Sequence, residues 1–240
     1  MALGSTNMIL KTSEKWGNED ILFSGLRALY IKSLAMLVVS DLHLGKSGYF
    51  QQMGAAIPSD IHAADLANLQ DLLNETQAEK LLVNGDLFHA GITTDVPLFK
   101  KWMQKALANS CLKQCILVRG NHDKYSDAFY QDLGFQVVED YYYDQGYLFI
   151  HDPEHLSAFL CGESAADYSI ALFGHVHAGV VLKGKGRQKI RKAAFVIEKT
   201  TGTKSAIYLP AFGTLTGIKA FAISPKNQCI LASEGQLFEL

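Results

Sequence analysis

The sequence predicts an α/β protein, a four-layer αββα sandwich in which two mixed β-sheets pack face to face with helices outside. Two observations point there. Short apolar runs alternate with helical patterns through the first half of the chain, and the second half is mostly strand. A third, the lack of internal repeats, low-complexity stretches or Pro/Gly-rich linkers, predicts one domain spanning residues 1–240.

Residues 20–23 and 29–31 read as short edge strands. Residues 34–39, Leu-Ala-Met-Leu-Val-Val, are continuous, apolar and β-branched at the end, the pattern of a strand buried on both faces. Pro58, Ser59 and Asp60 form a helix start, with a capping serine and an acidic first turn. That helix runs to about residue 75 with Leu66, Leu69 and Leu73 on one face. A second strand covers 81–83. Asp95 opens a second helix to about residue 108, carrying Leu98, Trp102 and Leu107. A third strand at 115–118 precedes a short helix at 126–133. Strands at 135–138, 147–150 and 170–173 follow. After Gly179 the pattern turns all-β, at 193–198, 206–209, 218–223 and 229–231.

Composition limits the function classes. The chain is 48% apolar and 19% charged, as globular proteins are. A net charge of −2 provides no global attraction to nucleic acid or anionic membrane, so such binding needs a local basic patch. No apolar run reaches the roughly 20 residues of a membrane span. The N-terminus lacks a signal peptide's basic start and apolar stretch, and residues 1–8 read as a disordered extension. Cys111, Cys115, Cys161 and Cys229 form no CxxC and read as buried free thiols. A reducing, cytoplasmic location is expected.

Five of the strands end alike. Asp41/His43, Asp86, Asn121/His122, His151 and His175/His177 each stand where an apolar run stops, and His89 lies just beyond Asp86. In open α/β sheets the carboxyl ends of the strands are where ligands bind. A single histidine there is usually structural; five coincidences of acid and imidazole are not. Carboxylate, imidazole and one amide carbonyl suit Mn, Fe, Zn or Ni, and they suffice for two ions only if one carboxylate is shared.

In order, these blocks read DxH, GD, GNHD, a lone His and GHxH. The set resembles the calcineurin-like metallophosphoesterase superfamily from Asp41 to His177. The resemblance implies two divalent ions, Mn2+ first, and in-line attack on phosphorus by a hydroxide that they share. Asp41, His43 and His177 are then ligands of the first ion. Asn121, His151 and His175 are ligands of the second, and Asp86 bridges both. His122 lies beside the scissile phosphate as charge stabiliser and acid. Asp123 orients His122 or its loop; as an ordinary turn residue it caps the helix at Ser126 instead.

The segments around Asp41 and Asp86 look like the branch of SbcD-type nucleases, and His89 stands where protein phosphatases of the superfamily carry Asp. Contact with the phosphate, positioning of His122 and support of a ligand all remain open for His89. Residues 49–58, the basic loop 184–188, residues 209–213 and Thr216-Gly217 resemble the ligase-associated DNA damage response endonuclease PdeM family. That implies a DNA phosphodiester substrate in a repair context, with a DNA ligase and a helicase as partners and no membrane. Gln51 and Gln52 depart from the Arg that the family often carries there.

Lys183, Lys185, Arg187, Lys189, Arg191 and Lys192 crowd one segment. At strand period, Lys185, Arg187, Lys189 and Arg191 share a face, read as a phosphate-binding surface or as a lysine-protected edge. Tyr141, Tyr142 and Tyr143 read as an aromatic strand against the core. Two enzyme readings stay open, a DNA phosphodiesterase and a small-molecule phosphohydrolase. A scaffold that keeps the fold without the chemistry is the third.

Overall fold

The structure is a computed structural model that describes residues 10–54, 56, 58, 60–89, 95–161, 168–184, 186–200 and 204–240. One sheet runs in sequence order. Antiparallel β1 (Leu10–Lys11), β2 (Ile21–Ser24) and β3 (Leu29–Ile31) lead into parallel β4 (Met36–Val39), β5 (Lys80–Asn84), β6 (Gln114–Val118) and β7 (Phe135–Val138). The second sheet has a parallel centre of β9 (Tyr147–Ile150), β10 (Ile170–Phe173) and β13 (Ser205–Tyr208). β8 (Tyr142–Asp144) closes one side, and β12 (Lys189–Lys199) joins β13 to β11 (Ala178–Lys183) and β14 (Lys219–Phe221). β15 (Asn227–Ser233) and β16 (Gln236–Glu239) add on through β12.

The continuous apolar runs make sense because both faces are covered. Val38, Leu82 and Ile116 point between the sheets, against Phe149, Leu172, Phe195 and Ile207. Leu37, Val39, Leu81, Val83 and Leu117 point the other way, onto α2 (Ile61–Thr76) and α3 (Asp95–Asn109). Beyond the second sheet the helical layer is thin, with Phe159 of the short α5 (Leu156–Cys161) packed on Leu148, Ile150 and Phe173.

Several expectations meet corrections. α3 buries Phe99, Trp102, Met103 and Ala106, an i, i+3, i+4, i+7 set, while Leu98 and Leu107 are exposed. α2 begins after Asp60, not after the predicted capping serine; Ser59, like residues 1–8 and Lys185, lies outside the described residues. The tyrosine run is strand only in part: Tyr141 precedes β8 and meets Phe159 edge-on at 4.7 Å, Tyr142 tilts onto Phe149, and Tyr143 is exposed, because alternate strand residues face opposite sides. No helix among the described residues is long and apolar enough to cross a membrane.

One buried side chain ties the sheets together. The Asn84 amide, at the end of β5, donates to the carbonyls of Ile150 (3.2 Å) and Leu172 (3.1 Å) in the second sheet. Asn84→Ala strands both buried carbonyls and is expected to cost about 2 kcal/mol of unfolding free energy. Urea unfolding measures it, and an unchanged midpoint rules out the staple.

Candidate metal centre

The ends of β4, β5, β6, β9 and β10 open into one crevice, and the chain leaves them by unusual turns. Asp41, His43, Asp86, His175 and His177 have φ between 48° and 59°, five of the ten non-glycine residues described in the left-handed region. Each costs roughly 1–2 kcal/mol, which persists only where surrounding bonds dictate it. Those bonds are present: Asp41 N–H donates to Gly85 O (3.0 Å), His43 N–H to Asp86 O (2.9 Å) and Leu44 N–H to Leu87 O (3.0 Å). They zip the loop after β4 onto the loop after β5. The glycines of the motifs are needed for close approach. A Cβ on Gly120 would lie 2.2 Å from Asp86 Oδ1, and one on Gly85 would lie 2.0 Å from His151 Nδ1.

Among the described residues two carboxylate-containing sets of donor atoms each converge to within 4.8 Å, Asp41 with His43 and His177 and Asp86 with His151 and His175, and an all-imidazole set of His43, His89 and His122 converges equally. In the first, His177 Nε2 stands 3.1 Å from Asp41 Oδ1 and 3.2 Å from His43 Nε2. In the second, Asn121 Oδ1 is 3.0 Å from His175 Nδ1 and 3.4 Å from His151 Nε2. Asp86 lies between them. Its Oδ2 is 3.6 Å from His43 Nε2 and 3.4 Å from His151 Nε2, while its Oδ1 accepts from His122 N–H at 2.8 Å.

These residues fit a pair of cations. Asp41 and Asp86 are buried, and the ion-pair partners they show are imidazoles. Buried carboxylates need positive compensation, which neutral imidazoles do not supply. Burial, outweighing the pull of Asp86 and Asp41, holds His43 down to about 3. Burial opposes the charge on Asp86, but the His151 hydrogen bond and the His151 and His43 charges hold it at about 2. Burial also works against the His151 cation, yet the Asp86 hydrogen bond and the Asp41 and Asp86 charges raise it to about 9. His151 Nδ1 faces Asn84 O at 2.8 Å, which assigns Nδ1 as donor and directs Nε2 to the ligand set.

The other candidate residues lie around this core. The His122 ring is 5.1 Å from His43, and it stacks on His89 at 5.2 Å with 22° between planes. His89 meets both His122 and the ligand His43, at ring separations of 5.2 and 5.8 Å. Asp123 is buried beside the ligand loops. Its buried carboxylate accepts from Gly120 N–H, Asp86 N–H, Leu87 N–H and Tyr130 OH at 2.8–3.1 Å. It therefore anchors the Asp86 loop to the Asn121 loop, and Ser126 itself caps α4 (Asp127–Asp132). Burial, with the neighbouring Asp86 charge, raises its pKa against these donors.

The basic segment is also redrawn. Arg187 sits in the turn before β12, and Lys189 and Arg191 share their strand face with Lys183 across the β11 pairing. Four residues escaped the sequence reading. Ser40 Oγ donates to Asp41 Oδ2 and Asn84 O; Asn84 staples the sheets; Asp152 Oδ2 stands 3.8 Å from His175 Nε2; and Lys46 begins the unexpected α1 (Lys46–Gln52). Only adjacency to a motif hinted at any of them. The late block has a role as well: Phe212 N–H and Gly213 N–H donate to Ser40 O and Asp41 O, backing the first ligand loop.

A family model described as calcineurin-like phosphoesterase matches residues 34–179. Among solved structures the chain is similar to the Pseudomonas putida nuclease MPE, at 26% identity and a TM-score of 0.70, covering 92% of this chain and 94% of that one. It also matches AQ665 from Aquifex aeolicus, a protein of unknown function, at 20% identity and TM-score 0.43 over 63% of this chain and 82% of that one. No curated protein matches. The family match spans the strands and ligand loops from which both donor sets are built, so the chain belongs to the calcineurin-like phosphoesterases and is a metal-dependent phosphoester hydrolase.

Proposed function

We propose that the protein is a dinuclear phosphodiesterase that cuts DNA, in a repair setting in the cytoplasm, alongside a DNA ligase and a helicase. Two divalent cations, Mn2+ the first candidate and Fe, Zn or Ni the others, supply Lewis-acid charge to the phosphoryl group and make water acidic enough to attack at neutral pH. Asp41, His43 and His177 would hold one ion and Asn121, His151 and His175 the other, with Asp86 shared between the two sets. Asp86 Oδ1 pins the His122 backbone, so the His122 ring is set beside the ions. From there it donates a hydrogen bond to the phosphoryl oxygens and a proton to the leaving oxygen. The stacked His89 keeps that ring in place.

The observation that favours a polymer over a small phosphoester is the arm formed by β11 and β12. β11 runs in the same direction as β10, so it leaves His177 heading past the strand ends that carry the ligands. Lys183 ends it roughly 17 Å further on, at about 3.3 Å per residue. On β12, Lys189 and Arg191 alternate in step with Phe195 and Ile197, which face between the sheets. The basic side of the arm therefore lies on the crevice side. Similarity to a nuclease over nearly the whole chain supports a nucleic-acid substrate.

Hydrolysis of bis-p-nitrophenyl phosphate, the mono-ester, and single-stranded and duplex DNA across a panel of ions tests this reading. Diester and DNA cleavage are expected; clear preference for the mono-ester points to a small-molecule phosphohydrolase, and two bound ions without any hydrolysis to a scaffold. Replacing Arg187, Lys189 and Arg191 by Ala is expected to lower the slope of log K against log salt by about 2 for single strands. An unchanged slope removes the arm from the DNA surface.

A further inference from the structure

α1 had no place in the sequence pattern, and it lies at the mouth of the crevice. Its inner side is fastened: Ser47 N–H donates to His62 Nε2 (3.2 Å), and buried His62 stands 3.8 Å from Asp65 and 3.7 Å from Asp95. Its outer side carries Lys46, Tyr49 and Met53 at i, i+3 and i+7, one stripe leading away from His43. Tyr49 is 48% exposed and Met53, the C-cap, 69% exposed. A tyrosine and a methionine left in water at the end of a buried ligand loop are not contributing to the core.

The rings are continuous. Tyr49 meets His89 at 5.3 Å and 60°, and His89 in turn stacks on His122. An open aromatic face thus begins two rings from the group placed at the scissile phosphate. Lys46, one turn nearer, lies in the field of Asp41 and Asp86: burial lowers its pKa and those two charges act against the shift. Base stacking on tyrosine is sequence-tolerant, because every base has a π-face. A cation, then an aromatic ring, then a polarisable thioether match a phosphate followed by its base and the next base.

We propose that α1 is a nucleotide-binding track, with Tyr49 stacking on a base next to the scissile phosphate, Lys46 contacting a backbone phosphate and Met53 packing on the following base. The assignment rests on the phosphodiesterase reading above. The experiment uses His122→Ala protein loaded with Mn2+, so that DNA binds uncleaved, and a fluorescent single-stranded oligonucleotide followed by anisotropy. Tyr49→Ala in that background is expected to weaken binding about 10-fold, while Tyr49→Phe and Tyr49→Trp keep it. Abasic residues scanned along the strand are expected to weaken the parent at one or two positions and to leave the Tyr49→Ala protein indifferent there. Equal binding by parent and Tyr49→Ala, or equal losses in Tyr49→Ala and Tyr49→Phe, overturns the track while leaving the nuclease intact. A parent that binds no oligonucleotide overturns both.

Discussion

His122→Ala is expected to retain both ions and lose turnover. The His122 ring converges with the imidazoles of His43 and His89 and not with the two carboxylate-containing sets, while its backbone N–H donates to Asp86 Oδ1, a hydrogen bond that alanine keeps. What disappears is the proton donor and the hydrogen bond to the phosphoryl group, a loss of roughly 10²- to 10⁴-fold in kcat for a positioned acid. Steady-state cleavage of DNA measures the rate, and elemental analysis counts the metal. Bis-p-nitrophenyl phosphate, whose p-nitrophenolate leaving group needs no proton, should suffer less than DNA. Loss of one ion in this variant makes His122 a ligand and ends its assignment as acid.

Asp86→Ala is expected to fail at the earlier step, metal occupancy. The carboxylate faces both donor sets through a single oxygen, so its removal weakens both at once. The remaining sets are Asp41 with two imidazoles, and two imidazoles with an amide. The second retains no anion, and its affinity for a divalent cation should drop furthest. Titration with Mn2+ followed by calorimetry is expected to show fewer than two ions and no measurable turnover. Full occupancy by two ions in Asp86→Ala would refute the bridging role. Backbone geometry is a second consideration, because Asp86 has φ 56° and alanine tolerates that region less well than aspartate. Asp86→Asn keeps the shape and the local hydrogen bonding, so a loss of metal shared by both variants reports the charge.

Much of the site could be read in advance because it is local. Each ligand block follows a buried apolar run, and strand ends in an α/β sheet share one edge, so type and spacing already mark DxH, GD, GNHD, His151 and GHxH as one constellation. The helices fared unevenly. α2 has a regular leucine face and was legible. α3 was legible as a helix but not in rotation, since Leu98 and Leu107 and the true set Phe99, Trp102, Met103 and Ala106 are both apolar at helical spacing. α1 was not legible. It spans seven residues, has Gly45 in the left-handed region as N-cap with no capping side chain, and is held by His62 from another helix. Short helices owe their existence to such tertiary contacts rather than to propensity.

Asp123 illustrates the same boundary. An aspartate beside a catalytic histidine has the chemistry of an orienting partner, and nothing in its neighbours says which way it points. The fold turns it inward because Asp86 N–H, Leu87 N–H and Tyr130 OH, up to 37 residues away, need an acceptor there. An inward carboxylate with several donors is better satisfied than those N–H groups left bare. The basic arm likewise had its cations legible and its register not. The β11 pairing keeps Lys189 and Arg191 of the expected face, adds Lys183, and leaves Arg187 in the turn.

The sequence alone determined the donor inventory, the strand ends that present it and the α/β sandwich, because side-chain chemistry and hydrophobic period are properties of short segments. Only the tertiary structure decided that the two sheets meet at those ends, with Asn84 bonded to Ile150 and Leu172. It likewise placed Asp86 Oδ2 between two imidazoles whose residues lie 43 positions before it and 65 after it. Pairings over such separations depend on packing across the inter-sheet core, which no local pattern encodes.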